Sequence, residues 1–146
     1  MTDAGTFTSK SPRPQKRDAD EQARAFAIEC ARLMSDLKCE DLLIFDVRGL
    51  SEITDFVVIG TGTSDRQMRS VAEDLEELGQ QHSFARYGKE DDEAATWIVA
   101  DFVEVVAHLF EPGTRAHYDL EMMWGDAPKV AWRRDPSAKP PGEGAS

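Results

Sequence analysis

The chain has 146 residues, of which 40% are hydrophobic and 31% are charged, and its formal net charge is −11. This length suits one domain with a single core, and no apolar run approaches the roughly 20 residues that span a bilayer. Proteins that bind nucleic acids directly usually have a basic surface, because phosphate neutralisation supplies much of their affinity. Seventeen basic residues against twenty-eight acidic ones therefore argue against RNA or DNA as the main contact and favour a basic protein partner.

Both ends of the chain have the composition of disordered segments. Residues 1–19 are polar, without apolar periodicity or the apolar stretch of a signal peptide, and three prolines and two glycines fall within residues 135–146. We therefore predict a disordered tail over residues 1–19, one α/β domain over 20–125, and a largely disordered extension over 126–146. A cytoplasmic location is expected, and there Cys30 and Cys39 would be free thiols.

The first predicted elements are a helix over residues 21–37, capped by Asp20, and a strand over 42–47. The strand is almost wholly apolar, which is typical of the middle of a sheet. The helix is predicted from an apolar stripe with spacings of four, three and four residues, formed by Phe26, Cys30, Leu33 and Leu37.

The next segment reads as a buried strand over residues 56–59, a turn with glycines and a second helix. Ser64 followed by Gln67 forms a capping box, in which two side chains satisfy backbone donors at the start of a helix. Gly79 is a plausible residue just past the end of that helix. The buried face of the helix is predicted to consist of Met68, Val71, Ala72, Leu75 and Leu78.

The second half of the chain predicts mainly strands. A short edge strand over residues 82–87 and an acidic exposed loop over 88–95 precede strands over 97–100 and 104–110. A turn or two of helix follows within 111–123. The whole pattern predicts a single α/β domain with a mixed β-sheet flanked by helices.

The sequence Gly-Thr-Gly-Thr-Ser at residues 60–64 is a candidate phosphate-binding loop, because it precedes a helix N-terminus. It lacks the lysine of a P-loop and the third glycine of a dinucleotide fingerprint, and Asp65 would place negative charge beside a bound anion. Glycine is equally expected where a strand turns tightly into a helix. A structural role for Gly60 and Gly62 is favoured, with a nucleotide-binding or nucleotidyl-transferring enzyme as the alternative.

No set of residues predicts a metal site or a catalytic centre. Asp74 and Glu76 lie two positions apart in a helix, where side chains diverge by about 200° and cannot chelate one ion. Asp119 and Glu121 are better explained as a solvated acidic face. The three histidines lack zinc-site spacing, and His108 is expected to be a hydrogen-bonded core residue. We therefore expect no cofactor, no metal and no enzymatic activity.

A surface hypothesis remains. The acidic residues 90–93 lead into Trp97, and Asp101 and Phe102 follow at a predicted hairpin. Aromatic anchors beside acidic groups suit a basic partner, because aromatic residues dominate binding hot spots while charge steers the encounter. Alternatively, Trp97 is a core residue and the loop is merely solvated. The residues alone leave both interpretations open.

Several segments at consistent spacing, spread over about residues 22–125, resemble the ribosomal silencing factors (the Iojap family). The resemblance lies in Asp-Val-Arg-Gly-Leu-Ser at 46–51, Ile-Thr-Asp-Phe at 53–56, Gly-Thr-Gly-Thr-Ser-Asp-Arg-Gln at 60–67, Trp-Ile-Val-Ala-Asp-Phe at 97–102, Val-Val-Ala-His-Leu-Phe at 105–110, Arg-Ala-His-Tyr-Asp-Leu-Glu at 115–121, and Trp124.

The resemblance implies a nucleotidyltransferase-like α/β fold without the catalytic carboxylates. It also implies binding to large-subunit ribosomal protein number fourteen, which would block the joining of the two ribosomal subunits and repress translation. A role as an assembly factor for the large subunit is the alternative. A homodimer of the free protein is plausible, because free family members tend to self-associate.

The contact residues that the resemblance implies are Trp97, Val99, Asp101, Phe102 and Tyr118. The chain departs from the family at one position of this region. Many members have glycine where this chain has Val103, and valine resists a positive φ. The hairpin turn is therefore expected to be shaped differently here.

Overall fold

The computed structural model describes residues 14–88, 96–118 and 120–134, which form a four-stranded mixed sheet with helices packed on it. This confirms the predicted α/β fold class. None of the helices in these ranges is long and apolar enough to cross a membrane. The elements in chain order are α1 (Pro14–Asp36), β1 (Glu40–Asp46), β2 (Phe56–Thr61), α2 (Asp65–Gln81), β3 (Trp97–Asp101), β4 (Val105–Phe110), α3 (Pro112–Tyr118) and α4 (Leu120–Met123).

The strand order in the sheet is β1-β2-β4-β3. The central pair, β2 and β4, is parallel, and each pairs antiparallel with its other neighbour. A parallel pair needs a crossover connection, which α2 and β3 supply between β2 and β4. This topology places β3 at one edge of the sheet.

The two faces of the sheet are buried by different parts of the chain. One face packs against α1 and α2, and the main core between them includes Phe26, Met34 and Leu75. The opposite face carries a smaller cluster around Phe110, on which Trp97 and Trp124 are only partly buried. Because both faces are covered at its centre, β2 is buried at every position, which explains the uninterrupted apolar run over residues 56–59.

The predicted cap of α2 is confirmed. The Gln67 N–H donates to Ser64 Oγ at 3.0 Å, while Gln67 Oε1 accepts from the Thr63 N–H at 3.0 Å. The prediction for Gly79 is wrong, since α2 continues to Gln81. Gly79 is buried inside the helix, and a Cβ there would collide with the Phe84 carbonyl oxygen. Close packing, not helix termination, requires this glycine.

Two boundaries differ from the prediction. The first helix begins at Pro14, so residues 14–19, which were expected to be disordered, form its first turns. Residues 82–87 do not form a strand. They touch β3 through two bonds, from the Tyr87 N–H to the Asp101 carbonyl at 2.6 Å and from Arg86 Nη2 to the Val99 carbonyl at 3.0 Å. Most of the predicted acidic loop, residues 89–95, lies outside the described residues.

The segment after α4 is also more ordered than predicted. Although residues 126–146 were expected to be largely disordered, Val130 is buried and its N–H donates to the Ile44 carbonyl at 2.9 Å. Trp132 Nε1 donates to the Leu42 carbonyl at 3.2 Å, and Arg32 Nε donates to the Trp132 carbonyl at 2.7 Å. These residues cover the outer edge of β1, which would otherwise expose backbone donors and acceptors. Disorder over residues 135–146 stays a prediction.

Candidate functional site

Three of the five predicted contact residues lie on one face of β3. Alternate residues of a strand point to opposite faces, and accordingly Trp97, Val99 and Asp101 are half-buried while Ile98 and Ala100 are fully buried. Because β3 is an edge strand, its half-buried face continues to the margin of the sheet. The structure therefore brings Trp97, Val99 and Asp101 together on an accessible surface, here called the β3 face.

Trp97 is anchored by its neighbours on β4. Its ring centroid lies 5.0 Å from that of Phe110 and 6.0 Å from that of His108. The indole Nε1 donates to His108 Nδ1 at 3.1 Å. Trp97 is thus neither a free surface residue nor a fully buried one. A rigid, partly exposed aromatic ring loses little conformational entropy on binding, which suits a binding anchor.

The bond with Trp97 fixes the state of His108. An indole nitrogen can only donate, so His108 Nδ1 must be unprotonated. Burial lowers the pKa of His108 to about 4, although the nearby charge of Asp101 acts in the opposite direction. His108 is therefore neutral at pH 7, as expected for a hydrogen-bonded histidine within a strand. Neutral His108 adds no positive charge to the β3 face, so it does not neutralise the negative charge of Asp101.

Asp101 also shapes the turn that joins β3 to β4. Its Oδ1 accepts from the Val103 N–H at 2.8 Å. Val103 has a φ of 74°, so it adopts the left-handed conformation that valine was expected to resist. A side-chain oxygen that accepts from a backbone N–H two residues later is a common way of stabilising a turn. Asp101 therefore has a structural role besides the charge it carries.

The other two predicted contact residues are not placed on the β3 face. Phe102 is 1% exposed and packs edge-on against Phe26, with ring centroids 5.0 Å apart, so it belongs to the core on the helical side of the sheet. Tyr118 is the last residue of α3, and its side chain lies outside the described residues. Its predicted contact stays a prediction.

One buried residue was missed as a candidate by the sequence analysis. Arg115 on α3 donates from Nη1 to the Asp41 carbonyl at 2.6 Å and to Thr61 Oγ1 at 2.7 Å, and from Nε to Glu121 Oε1 at 3.0 Å. These bonds fasten α3 and α4 to the ends of β1 and β2. Arg115 lies in one of the segments that carry the family resemblance, but its structural role could not be inferred from that segment, because two of its three partners lie 54 and 74 positions away.

The glycines of the candidate phosphate loop are explained by packing. A Cβ at Gly60 would lie 2.6 Å from atoms of Leu42 and Met34, and one at Gly62 would collide with the Met68 side chain. Two backbone donors at this turn are already engaged, since the Gln67 N–H donates to Ser64 Oγ and the Thr63 N–H donates to Gln67 Oε1. This geometry supports the structural role of the loop.

A cavity of about 600 Å³ does lie nearby, lined by Arg115, Arg133 and also by Asp41 and Glu121. Arg115 pairs with Glu121 within it, so the Arg115 guanidinium does not face the cavity unopposed. Within the described ranges, no group of three or more His, Cys, Asp or Glu residues is placed to hold a metal ion. Cys30 and Cys39 are buried and free.

Comparison with known proteins gives a consistent result. Residues 20–145 match the family model described as "Ribosomal silencing factor during starvation". The chain is 36% identical over 97 residues to a ribosomal silencing factor of Halalkalibacterium halodurans. The aligned region covers 66% of this chain and 83% of that protein. It is 32% identical over 122 residues to the mouse protein named "Mitochondrial assembly of ribosomal large subunit protein 1", covering 80% of this chain and 53% of that one.

A solved structure from Chromobacterium violaceum has a similar fold. It superposes with a TM-score of 0.64 at 26% identity, covering 80% of this chain and 94% of that protein.

Proposed function

Because this chain belongs to the ribosomal silencing factor family, we propose that it binds large-subunit ribosomal protein number fourteen through the β3 face. Bound there, it sterically blocks the association of the two ribosomal subunits in the cytoplasm and represses translation. The observation that carries the proposal is the gathering of Trp97, Val99 and Asp101 on the accessible face of an edge strand.

The chemistry of the β3 face supports a basic partner. Trp97 supplies a rigid aromatic anchor, and Asp101 supplies a negative charge that neutral His108 leaves in place. The net charge of −11 would accelerate the encounter with a basic ribosomal protein. Phe102 contributes indirectly, since its burial fixes the end of β3 beside Asp101.

The proposed mechanism is competition for a surface. A protein that covers the joining face of the large subunit prevents docking of the small subunit without any chemical step, so no catalytic residue or cofactor is needed. The degree of repression then depends on the concentration of the protein relative to its dissociation constant. A homodimer of the free protein that covers the same face would lower the concentration of competent monomer.

A second candidate function is assistance in large-subunit assembly. The name of the mouse relative favours it, and both functions would use binding to the same subunit. They differ in consequence, because a silencing factor excludes the small subunit from mature large subunits.

Subunit joining tests the proposal directly. Purified large subunits are incubated with the protein before small subunits are added, and the joined peak is measured on a sucrose gradient. We expect the joined fraction to fall in proportion to bound protein, and to recover with the Asp101→Lys variant, whose charge repels a basic partner. Binding without any loss of joining would favour the assembly role, and absence of binding to large subunits would refute both.

A further inference from the structure

A shallow groove of about 250 Å³ adjoins the β3 face. Half-buried Val106 lies opposite Asp101 in the register of β3 and β4, and both residues contribute to the groove. The groove therefore continues the surface on which Trp97 and Val99 lie. Its lining residues are Ile53, Thr54, Tyr87, Asp101, Val103 and Val106.

The groove is lined by apolar side chains that the fold leaves in solvent. Ile53 is 86% exposed, Tyr87 is 74% exposed and Val103 is 50% exposed. Single exposed apolar residues are ordinary, but a contiguous group of them marks a binding surface. These three come from the β1–β2 loop, the segment after α2 and the β3–β4 turn, so their convergence is a property of the fold and not of one loop.

Val103 adopts an unfavourable backbone conformation at this place. Its φ of 74° lies in the left-handed region, where the Cβ of a β-branched residue is crowded by the backbone. Core packing does not compensate for this strain, since the Val103 side chain is half exposed. Glycine would adopt this turn without strain. Strained residues cluster at functional sites, and here the side chain that the strained turn presents to solvent is that of Val103.

The charges around the groove indicate what could occupy it. Asp101 lies in its wall, exposed Glu104 follows Val103, and exposed Glu52 precedes Ile53, while none of the six lining residues is basic. A second copy of this chain, with a net charge of −11, would bring like charge to this rim. A basic protein segment would be attracted to it.

We infer that this groove receives an aliphatic side chain from the basic ribosomal protein, with a neighbouring lysine or arginine of that protein reaching Asp101. The inference rests on the proposed function and extends it, because it makes Val103 and Ile53 determinants of affinity. On this inference, the contact that the Val103 side chain makes with the partner offsets the cost of the strained turn.

The test compares stability and affinity in three variants. Val103→Gly relieves the backbone strain, so we expect a higher melting temperature together with an affinity for large subunits about fivefold to tenfold lower. Ile53→Ser should lower affinity to a similar degree at an unchanged melting temperature. Leu50→Ser is the matched control, since Leu50 is also exposed in the β1–β2 loop but does not line the groove, and it should change neither quantity.

The outcomes separate this inference from the function on which it rests. If Asp101→Lys abolishes subunit binding while Val103→Gly and Ile53→Ser leave affinity unchanged, the proposed function stands and the inference is overturned, because the apolar lining of the groove then contributes nothing to affinity. If Ile53→Ser disrupts only self-association, measured by analytical ultracentrifugation, the occupant is a second copy and the inference is overturned. A wild-type chain that does not bind large subunits refutes both.

Discussion

The hydrogen bond from Trp97 Nε1 to His108 Nδ1, 3.1 Å long, joins the edge strand to its neighbour on the β3 face. It requires a lone pair on Nδ1, which protonation of the imidazole would remove. The orientation of the aromatic anchor is therefore coupled to the charge state of one histidine.

This coupling predicts a pH-dependent loss of stability. Folding lowers the pKa of His108 from 6.5 to about 4. Between these two pH values the imidazole is therefore protonated in the unfolded chain but neutral in the folded one. The contribution of neutral His108 to the free energy of unfolding is fully present above pH 6.5 and declines as the pH falls from 6.5 to about 4. We expect a decline of about 2 kcal/mol in the free energy of unfolding, allowing for the partial exposure of the ring, measured by urea titrations between pH 7 and pH 4.

His108→Asn is the control for this window, because the asparagine amide oxygen can replace Nδ1 as acceptor and does not titrate. Carboxylates elsewhere in the chain also titrate near pH 4, but they do so in both proteins. Subtracting the two profiles isolates the histidine. Identical profiles for wild type and variant would contradict the assigned charge state.

A second prediction separates the two roles of Asp101. Asp101→Asn keeps an oxygen that can accept from the Val103 N–H but removes the charge. We expect its free energy of unfolding to change by less than about 0.5 kcal/mol, while affinity for large subunits falls about threefold to tenfold and becomes less sensitive to salt. Asp101→Ala should also lose about 1 kcal/mol of stability, because the turn loses its acceptor. Equal affinity of Asp101→Asn and wild type across a salt series would exclude a role for this charge.

Parts of this site follow from the sequence by simple rules. The alternation of a strand places Trp97, Val99 and Asp101 on one face, and the same rule assigns Phe102 to the side of Ile98 and Ala100. The resemblance placed Phe102 among the contact residues because a family motif identifies the segments that belong to the interface. It does not show which face of the sheet each residue of a segment occupies. Alternation, applied residue by residue, would have separated them.

Other features depend on contacts between distant parts of the chain. Trp132 reaches the Leu42 carbonyl across 90 positions, and its surroundings in sequence are rich in charge, proline and glycine, so composition alone suggested disorder. Gly79 was predicted to end the helix because glycine is common just after helix ends. Its local sequence does not show that the Phe84 carbonyl oxygen leaves no room for a Cβ at this position. The cap of α2 and the four strands of the sheet have strong local signals and were therefore predictable, whereas the predicted strand over residues 82–87 rested on a weak one and does not form.

A third prediction concerns Arg115. Arg115→Met removes donors from Thr61 and from the Asp41 carbonyl, both of which the buried guanidinium now satisfies. We expect a loss of about 3 kcal/mol in the free energy of unfolding, measured by urea denaturation. Glu121→Gln is the matched control: the Glu121 side chain is 37% exposed and its amide can still accept from Arg115, so the loss should stay below about 1 kcal/mol. Similar losses in both variants would mean that the exposed ion pair, and not the buried donors, holds α3 in place.

The last prediction concerns the segment that covers β1. Trp132→Ala removes a half-buried indole and its bond to the Leu42 carbonyl, and we expect a loss of about 2 kcal/mol in the free energy of unfolding. Arg134→Ala is the control, since the bond of Arg134 to Asp36 is exposed and 3.4 Å long, and such pairs contribute little.

Two truncations extend the same test to the whole segment. Ending the chain after Asp126 should cost more than Trp132→Ala and should expose the edge of β1, which favours aggregation through strand pairing. Ending it after Arg134 removes only residues predicted to be disordered and should leave the thermal midpoint unchanged. If truncation after Asp126 were equally harmless, the segment would be an addition to a domain that is complete without it, and the bonds from Val130 and Trp132 to β1 would contribute nothing to folding.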